Sequence, residues 1–389
     1  MGKSINTEKG GDAMAAKTDG ERKHERDRDR DENGKAARTG LKEWFRSHDL
    51  RRNIGIDLGT VSVLVWVEGK GVVLREPSVV AVDTTTDRIV AVGSRAQELI
   101  GRAPANIETV KPLREGVISQ YEVTLKMLQY FIRAACGNLL LPPRVMICVP
   151  SGVTEVEERA VLDAAHEAGA GKVYLMEEPV AAALGAGLDI SAPVGQMVVD
   201  IGGGTTDIAV MSLGGVVVSE SVRVAGDRMD EAVMRYVKNT YGILIGTRTA
   251  ELIKMRIGAL YTHKQVRSVE VRGRDAQTGL PRSVTLTSKE MLEALMEPTC
   301  VILDAICSVI ERTPPELLGD ILKNGMVMTG GGSLILGFDR MIQRATGVPT
   351  RVADDPVTCV VRGTAIAMKN FRELPEGLIN LERARRYRL

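Results

Sequence analysis

The stretch Asn53-Ile-Gly-Ile-Asp57-Leu-Gly59-Thr60, followed by the apolar run 61–67, decides how this chain is read. A β-branched strand ends at an Asp, turns through Gly and Thr, and continues as a second apolar strand. The tip of such a hairpin can offer backbone N–H groups to an anion, because Gly places no Cβ where a phosphate must approach. An Asp at the head of the turn suits a hydrated divalent cation. Alone the pattern means little, since Asp and Gly are common at turns. It recurs at Met197-Val-Val-Asp200-Ile-Gly202-Gly203-Gly204-Thr205-Thr206, again leading into an apolar strand. Two copies at the heads of two similar-sized halves are far harder to obtain by accident.

A third glycine cluster stands at Gly325-Met-Val-Met-Thr-Gly330-Gly331-Gly332-Ser333-Leu-Ile-Leu. It reads as a strand-to-helix turn capped by Ser333, or as a close backbone approach to a flat nucleoside at a helix N-terminus. The two hairpins favour the nucleoside.

Together these segments resemble the phosphate-1, phosphate-2 and adenosine motifs of the actin, sugar-kinase and DnaK-type chaperone superfamily. Within it, the chain is similar to the MreB-type bacterial actins from about Ile54 to about Lys369. The similarity takes in Glu76-Pro77-Ser78, Lys111-Pro-Leu-Arg-Glu-Gly, Glu177-Glu178-Pro179-Val-Ala-Ala-Ala and Ala225-Gly-Asp-Arg-Met-Asp230. It implies an α/β, actin-like two-lobed ATPase fold: duplicated RNase H-like domains with mixed five-stranded sheets and four subdomains. The lobes are expected at 53–192 and 193–361, with small subdomains at about 80–112 and 229–295. Residues 362–389 are expected to return to the first lobe.

With 389 residues and 44% hydrophobic content, the chain can build two substantial cores. Aromatic residues make up only 3%, so those cores must be filled by Val, Ile, Leu, Ala and Met. A net charge of +1 offers no basic field for nucleic acid. The five cysteines include no Cys-x-x-Cys pair, which points to reduced thiols in a cytoplasm. The four histidines show no zinc spacing, and no apolar run approaches the ~18–20 residues that span a bilayer.

Residues 1–40 are polar and carry the mixed-charge run 21–32, too poor in apolar surface to offset the entropy of ordering, so a disordered tail is expected. From Asn53 short β-branched runs at 53–57, 61–67, 71–75, 78–82 and 88–92 read as a meander. Helical periodicity follows over 121–135, then a buried strand at 144–149 and a helix opened by the capping pair Thr154 and Glu157. A strand at 172–176 leads into Glu178-Pro179 and an Ala-rich helix ending near Gly185. The second half repeats the theme, with strands at 196–200, 206–212 and 215–224, helices near 227–240 and 247–259, a polar strand region at 266–287 and a long helix at 288–312. Alternating β and α blocks of this kind indicate α/β domains.

The resemblance also implies roles. Asp57 and Asp200 orient Mg²⁺ through water. Gly59, Thr60, Val61 and Ser62, with Gly202, Gly203, Gly204 and Thr205, hold the phosphates of ATP, GTP being the other candidate. Glu178 orients the attacking water and Thr205 stands near the γ-phosphate; phosphoryl transfer needs little more than such positioning. Glu251 and Lys254 hold ribose and base, or form only a surface i,i+3 pair. Gly330, Gly331, Gly332 and Ser333 receive the nucleoside. Relatives often carry Asn and Thr at the positions of Ser62 and Val63; Ser62 keeps a hydroxyl, while Val63 cannot hydrogen-bond through its side chain. Gly169-Ala-Gly171-Lys172 lacks the spacing of a Walker loop.

A small-molecule kinase of the same superfamily would need an acceptor pocket, and a chaperone would need a substrate domain. A filament-forming ATPase needs neither, and the resemblance favours it. The implied partners are further copies of the chain, RodZ-like and MreC/MreD-type elongation proteins, and the inner face of the cytoplasmic membrane. Leu41, Trp44 and Phe45, at i, i+3, i+4 among basic residues within 41–52, have the make-up of a short interfacial helix. Leu140 and Leu141 align with the relatives' membrane-binding loop. A helix docked on the body, or leucines tucked under a neighbour, are the plainer alternatives.

Overall fold

The computed structural model describes residues 51–137, 141–261, 265–370 and the backbone of 379–380. The expected tail at 1–40, the segment carrying Leu41, Trp44 and Phe45, and Leu140 lie outside these residues.

Two sheets carry the fold, and each repeats one plan. The first runs Ile379–Asn380, Lys172–Glu177, Arg144–Val149, Asn53–Leu58, Ser62–Val67, Gly71–Pro77. The second runs Gly215–Val222, Thr206–Ser212, Gln196–Ile201, Met326–Thr329, Thr350–Val352. In both, an antiparallel three-strand meander opens the half and two later strands add in parallel on the side of the meander's first strand; Ile379–Asn380 then joins the first sheet antiparallel. Without the two-residue strand Ile379–Asn380, the first sheet has the same five strands as the second. All seven residues of Thr206–Ser212 are buried, as expected for a strand covered on both faces.

The meander expected over 53–92 divides after Pro77. That residue pairs with Ser62 at the end of the ladder, and the imino acid has no N–H with which to extend it. The following strand Val80–Asp83 instead joins Arg88–Val92 and Ile107–Val110 in a separate three-stranded sheet. A second small sheet, of Ile243–Leu244, Ser268–Asp275 and Pro281–Thr287, belongs to the other half.

Helix starts follow their chemistry. Thr154 Oγ1 accepts the Glu157 N–H at 3.3 Å while the Glu157 carboxylate accepts the Thr154 N–H at 2.7 Å. Thr287 and Glu290 repeat the device at the head of the helix Ser288–Arg312, which carries Pro298 in its interior. Each half has its own aliphatic core; Phe131 and Phe338 are the aromatic side chains most deeply buried in them.

A third cluster lies between the sheets. Helices Glu178–Gly185 and Cys359–Lys369 pack on each other there, with Met146, Met176, Val198 and Met211 closing over them from the two sheets. The crossing is backbone to backbone. A Cβ on Gly185 would stand 1.8 Å from the Cys359 carbonyl oxygen, and one on Gly363 would stand 1.8 Å from that of Ala181. Neither helix tolerates a side chain at its crossing point.

Candidate functional site

The carboxyl ends of the parallel strands of both sheets face one cleft of about 610 Å³, the place where open α/β sheets bind ligands. Asp57 sits near the end of Asn53–Leu58, and Glu178 directly follows Lys172–Glu177 in the same sheet. Asp200 occupies the equivalent place in Gln196–Ile201. The two hairpin tips touch. A Cβ on Gly203 would stand 2.2 Å from Val61 Cγ2, and one on Gly204 would stand 2.3 Å from Thr60 Oγ1. Val61 therefore packs one tip on the other. The second loop is closed by the Gly202 N–H donating to the Thr205 carbonyl at 2.9 Å.

Of the residues singled out in the sequence, Asp57, Gly59, Thr60, Val61, Ser62, Glu178, Asp200, Gly202, Gly203, Gly204, Thr205, Glu251, Lys254, Gly330, Gly331 and Gly332 all line this cleft. Ser333 stands apart from the lining. It is buried, and its hydroxyl donates to the Gly330 carbonyl at 2.6 Å, holding the short 3₁₀ turn Gly331–Leu334 against the strand end. A regular helix begins only at Phe338. Lys254 is also committed within the protein. Its Nζ donates to the Gly226 carbonyl at 2.9 Å and pairs with the buried Asp230 at 2.9 Å, so the ammonium fixes the Gly226 turn. Burial nevertheless pushes Asp230 up to about 6, with Lys254 opposing the shift. Leu141 lies away from the cleft, and 44% of it is exposed. Met255 and Leu334 are exposed apolar side chains in the cleft wall, suited to the face of a base.

Asp57, Glu178 and Asp200 line the floor, and a fourth carboxylate, Asp207, is buried next to Asp200 and Glu178. Asp200 and Asp207 are buried, while Asp57 and Glu178 keep part of their surface open to the cleft. Burial raises all four, Asp57 to about 8, Asp200 to about 7, Asp207 to about 6, and Glu178 well above its ordinary range. Nearby carboxylates add to the rise, Asp200 on Asp57, Asp207 on Asp200, Glu177 on Asp207, and the three aspartates on Glu178. Hydrogen bonds partly offset the burial. Thr329 Oγ1 donates to Asp200 Oδ1 at 2.7 Å, and the Ser151 N–H donates to Asp207 Oδ1 at 3.0 Å. The Thr205 and Ser221 hydroxyls lie near enough to favour ionised Asp207, although its Oδ2 has no well-formed hydrogen bond. Among the described residues no Lys or Arg pairs with any of the four.

Such an array calls for a cation from outside. The donors are hard oxygens, appropriate to Mg²⁺ or Ca²⁺, and the orphaned Asp207 oxygen is part of the same unsatisfied charge. Among the described residues no three His, Cys, Asp or Glu side chains stand close enough to ligate a metal together. The site thus fits an ion that retains its water and is held mainly by a ligand's phosphates.

Asp207 carries no sequence signal beyond being an acid inside a wholly buried strand, outside the glycine turns themselves. Asp230 lay inside a quoted motif, but its partner Lys254 becomes visible only when the helices Gly226–Tyr241 and Thr247–Ile257 are packed.

Two sheets of one plan, joined by a pair of central helices around a cleft walled by paired glycine hairpins, define an actin-like fold. A family model described as MreB/Mbl protein matches residues 51–376. The cell shape-determining protein Mbl of Bacillus cereus is 48% identical over 326 residues, covering 84% of this chain and 98% of that protein. The cell shape-determining protein MreB of Escherichia coli is 50% identical over 323 residues, covering 82% and 93%. Among solved structures, MreB5 of Spiroplasma citri bound to ADP superposes with a TM-score of 0.80 at 39% identity, covering 83% of this chain and 98% of that one. The MamK double helical filament shares the fold, with a TM-score of 0.71 at 24% identity over 84% and 100%. The chain belongs to the MreB/Mbl family of bacterial actins. Among the described residues no helix is long and apolar enough to cross a membrane.

Proposed function

We propose that this protein binds ATP with Mg²⁺, hydrolyses it slowly, and assembles into antiparallel double filaments on the inner face of the cytoplasmic membrane. There it would organise wall elongation and rod shape with RodZ-like and MreC/MreD-type proteins. The observation that carries the nucleotide reading is the meeting of two acid-headed glycine hairpins over four uncompensated carboxylates. Spiroplasma citri MreB5 bound to ADP, and its counterpart bound to AMPPNP, support an adenine nucleotide. The lobes, in this reading, are 53–192 and 193–361, with the nucleotide between them.

The chain's own residues supply most of the chemistry. Backbone N–H groups of the two hairpin loops cradle the phosphates at Gly59–Ser62 and Gly202–Thr205. Asp57 and Asp200 accept hydrogen bonds from the ion's water shell. When bound, Mg²⁺ would offset negative charge on the phosphate oxygens. Glu178 would accept a hydrogen bond from the attacking water and aim it at phosphorus, with the Thr205 hydroxyl beside the γ-phosphate. The Met255 and Leu334 side chains pack on the base.

Phosphate release and sedimentation of the purified full chain, with ATP and Mg²⁺ and with each omitted, test the proposal. Nucleotide-dependent pelleting together with phosphate release supports it. A chain that stays in the supernatant under all conditions removes the filament.

A further inference from the structure

The strands Leu113–Arg114 and Val117–Ile118 are joined by a two-residue loop, Glu115–Gly116, whose φ angles are 50° and 78°. Positive φ at both positions makes a type I′ turn, which takes Asn, Asp or Gly first most readily. A side chain such as Glu enters the left-handed region against a steric penalty that Gly does not meet and Asn meets less. A strained residue that persists points to something the surroundings hold in place.

The Glu115 carboxylate reaches from the first-sheet half to the second. Oε1 lies 3.0 Å from Arg228 Nη2, and Oε2 lies 3.7 Å from Arg223 Nη1. Arg223 is itself 3.5 Å from Glu157, and Arg228 is 2.9 Å from Glu231, so the two guanidinium groups are aimed from several sides. All of these groups are substantially exposed, and pairs in water contribute little stability. Their value is geometric.

The inner face of the same turn rests on both phosphate hairpins. The Gly116 N–H donates to Thr60 Oγ1 at 2.9 Å. A Cβ on Gly204 would stand 3.1 Å from Glu115 Cα, and one on Gly116 would stand 2.8 Å from Thr205 Cγ2 and 2.6 Å from Pro150 Cγ. One turn thereby touches Thr60, Gly204 and Thr205 while its outer side chain is tied to the opposite half. No shorter carboxylate or amide at 115 could span to both arginines.

We propose that Glu115 is a positioning residue for nucleotide hydrolysis. Held by Arg223 and Arg228, it presses the 115–116 turn onto Thr60 and Thr205 and keeps the two hairpin tips in register. The proposal rests on the hydrolytic reading above and adds to it a residue that touches neither nucleotide nor metal.

Glu115→Asn separates this role from a merely structural one, because Asn is the better turn residue yet cannot reach the arginines. The full-length variant should keep or raise its thermal midpoint and bind nucleotide within about twofold of wild type, while kcat at saturating Mg²⁺ and ATP falls about tenfold. Hydrogen exchange should quicken at the amides of Gly116, Gly204 and Thr205, with the rest of the protein unchanged. Arg223→Gln with Arg228→Gln should reproduce the loss, and adding Glu115→Asn to that pair should cost nothing further. An unchanged kcat, a fall in kcat matched by a fall in midpoint or affinity, or additive losses would overturn the proposal. If the wild-type chain binds nucleotide without turning it over, the hydrolytic reading fails. The exchange comparison then stands by itself, and wild-type exchange at Gly116 and Thr205 in the variant refutes the coupling.

Discussion

Gly330 and Gly331 are adjacent in the third glycine cluster, and exchanging each for Ala should produce opposite phenotypes. Gly330 has φ 77° and ψ 166°, a conformation essentially reserved to glycine that costs other residues about 1–3 kcal/mol. Its new Cβ would stand 2.2 Å from the Ile201 carbonyl oxygen and 2.9 Å from Asp200 Oδ1. Both neighbours belong to the strand Gln196–Ile201, and a backbone carbonyl cannot swing away as a side-chain tip can. Relieving that overlap adds about 1–3 kcal/mol. Gly330→Ala should therefore lose roughly 2–6 kcal/mol of a total of about 5–15. Gly331 lies in the 3₁₀ turn with nothing within 4 Å of its would-be Cβ, since that direction opens into the cleft. Gly331→Ala should hold or gain stability, by about 0.4–1 kcal/mol from a stiffer unfolded chain, and yet weaken nucleotide binding by obstructing the approach of the nucleoside. Urea unfolding of the nucleotide-free proteins, followed by circular dichroism, gives the first quantity. Titration with a fluorescent adenine nucleotide gives the second. A Gly330→Ala protein with the wild-type midpoint would refute the strain argument. Wild-type affinity in Gly331→Ala would show that the nucleoside does not lie over this turn.

Glu178→Ala should leave nucleotide affinity nearly intact and slow single-turnover hydrolysis by about 10²-fold or more, as expected for loss of a water-orienting group; wild-type turnover would remove that role. The carboxylates at the cleft floor set a pH dependence. Folded-state values near 8, 7 and 6 for Asp57, Asp200 and Asp207 lie above the ordinary 3.8, so their contribution to stability is complete below about pH 4 and is lost as pH rises through 6–8. The thermal midpoint of the nucleotide-free protein should fall across that window, and Mg²⁺ with ADP should flatten the fall; a midpoint that rises from pH 6 to 8 would contradict the assignment. At the membrane, Trp44→Ala with Phe45→Ala, or Leu140→Ser with Leu141→Ser, should abolish co-sedimentation with liposomes while ATP turnover and assembly survive. Each apolar side chain contributes only about 1.5–3 kcal/mol, and a filament multiplies the effect by avidity. Wild-type pelleting by both double variants would dismiss these anchors.

The sequence made the strand–turn–strand units legible because their pattern is local. Asp57 and Asp200 each end a β-branched run before glycines, and Thr154 and Glu157 announce a helix start three residues apart. What escaped depends on pairs distant in the chain. Ile107–Val110 is a short polar strand, recognisable only beside Val80–Asp83. The helix Pro315–Asn324 is short and follows closely on the helix ending at Arg312, so it has too few turns to stand out by periodicity. The sequence offers Lys254, with Glu251, for ribose and base or for a helix pair, and the tie of Lys254 to Asp230 and Gly226 arises only from packing of two helices. Ser333 had the composition of a cap or a ligand contact, whereas its hydroxyl turns back on Gly330. Asp207 looks like an ordinary alternating polar residue until both faces of its strand prove to be covered.

The crossing of Gly185 with Gly363 makes the seam between the two halves an axle rather than a cushion. Interdigitated side chains would yield by changing rotamer and would absorb a small displacement on the spot. Main chain resting on main chain offers no such slack. A movement of the hairpin tips by the width of one phosphate oxygen must then travel outward as rotation of whole halves about this line, growing with distance from it. The far rims of the two halves are the places where such a rotation would be felt most.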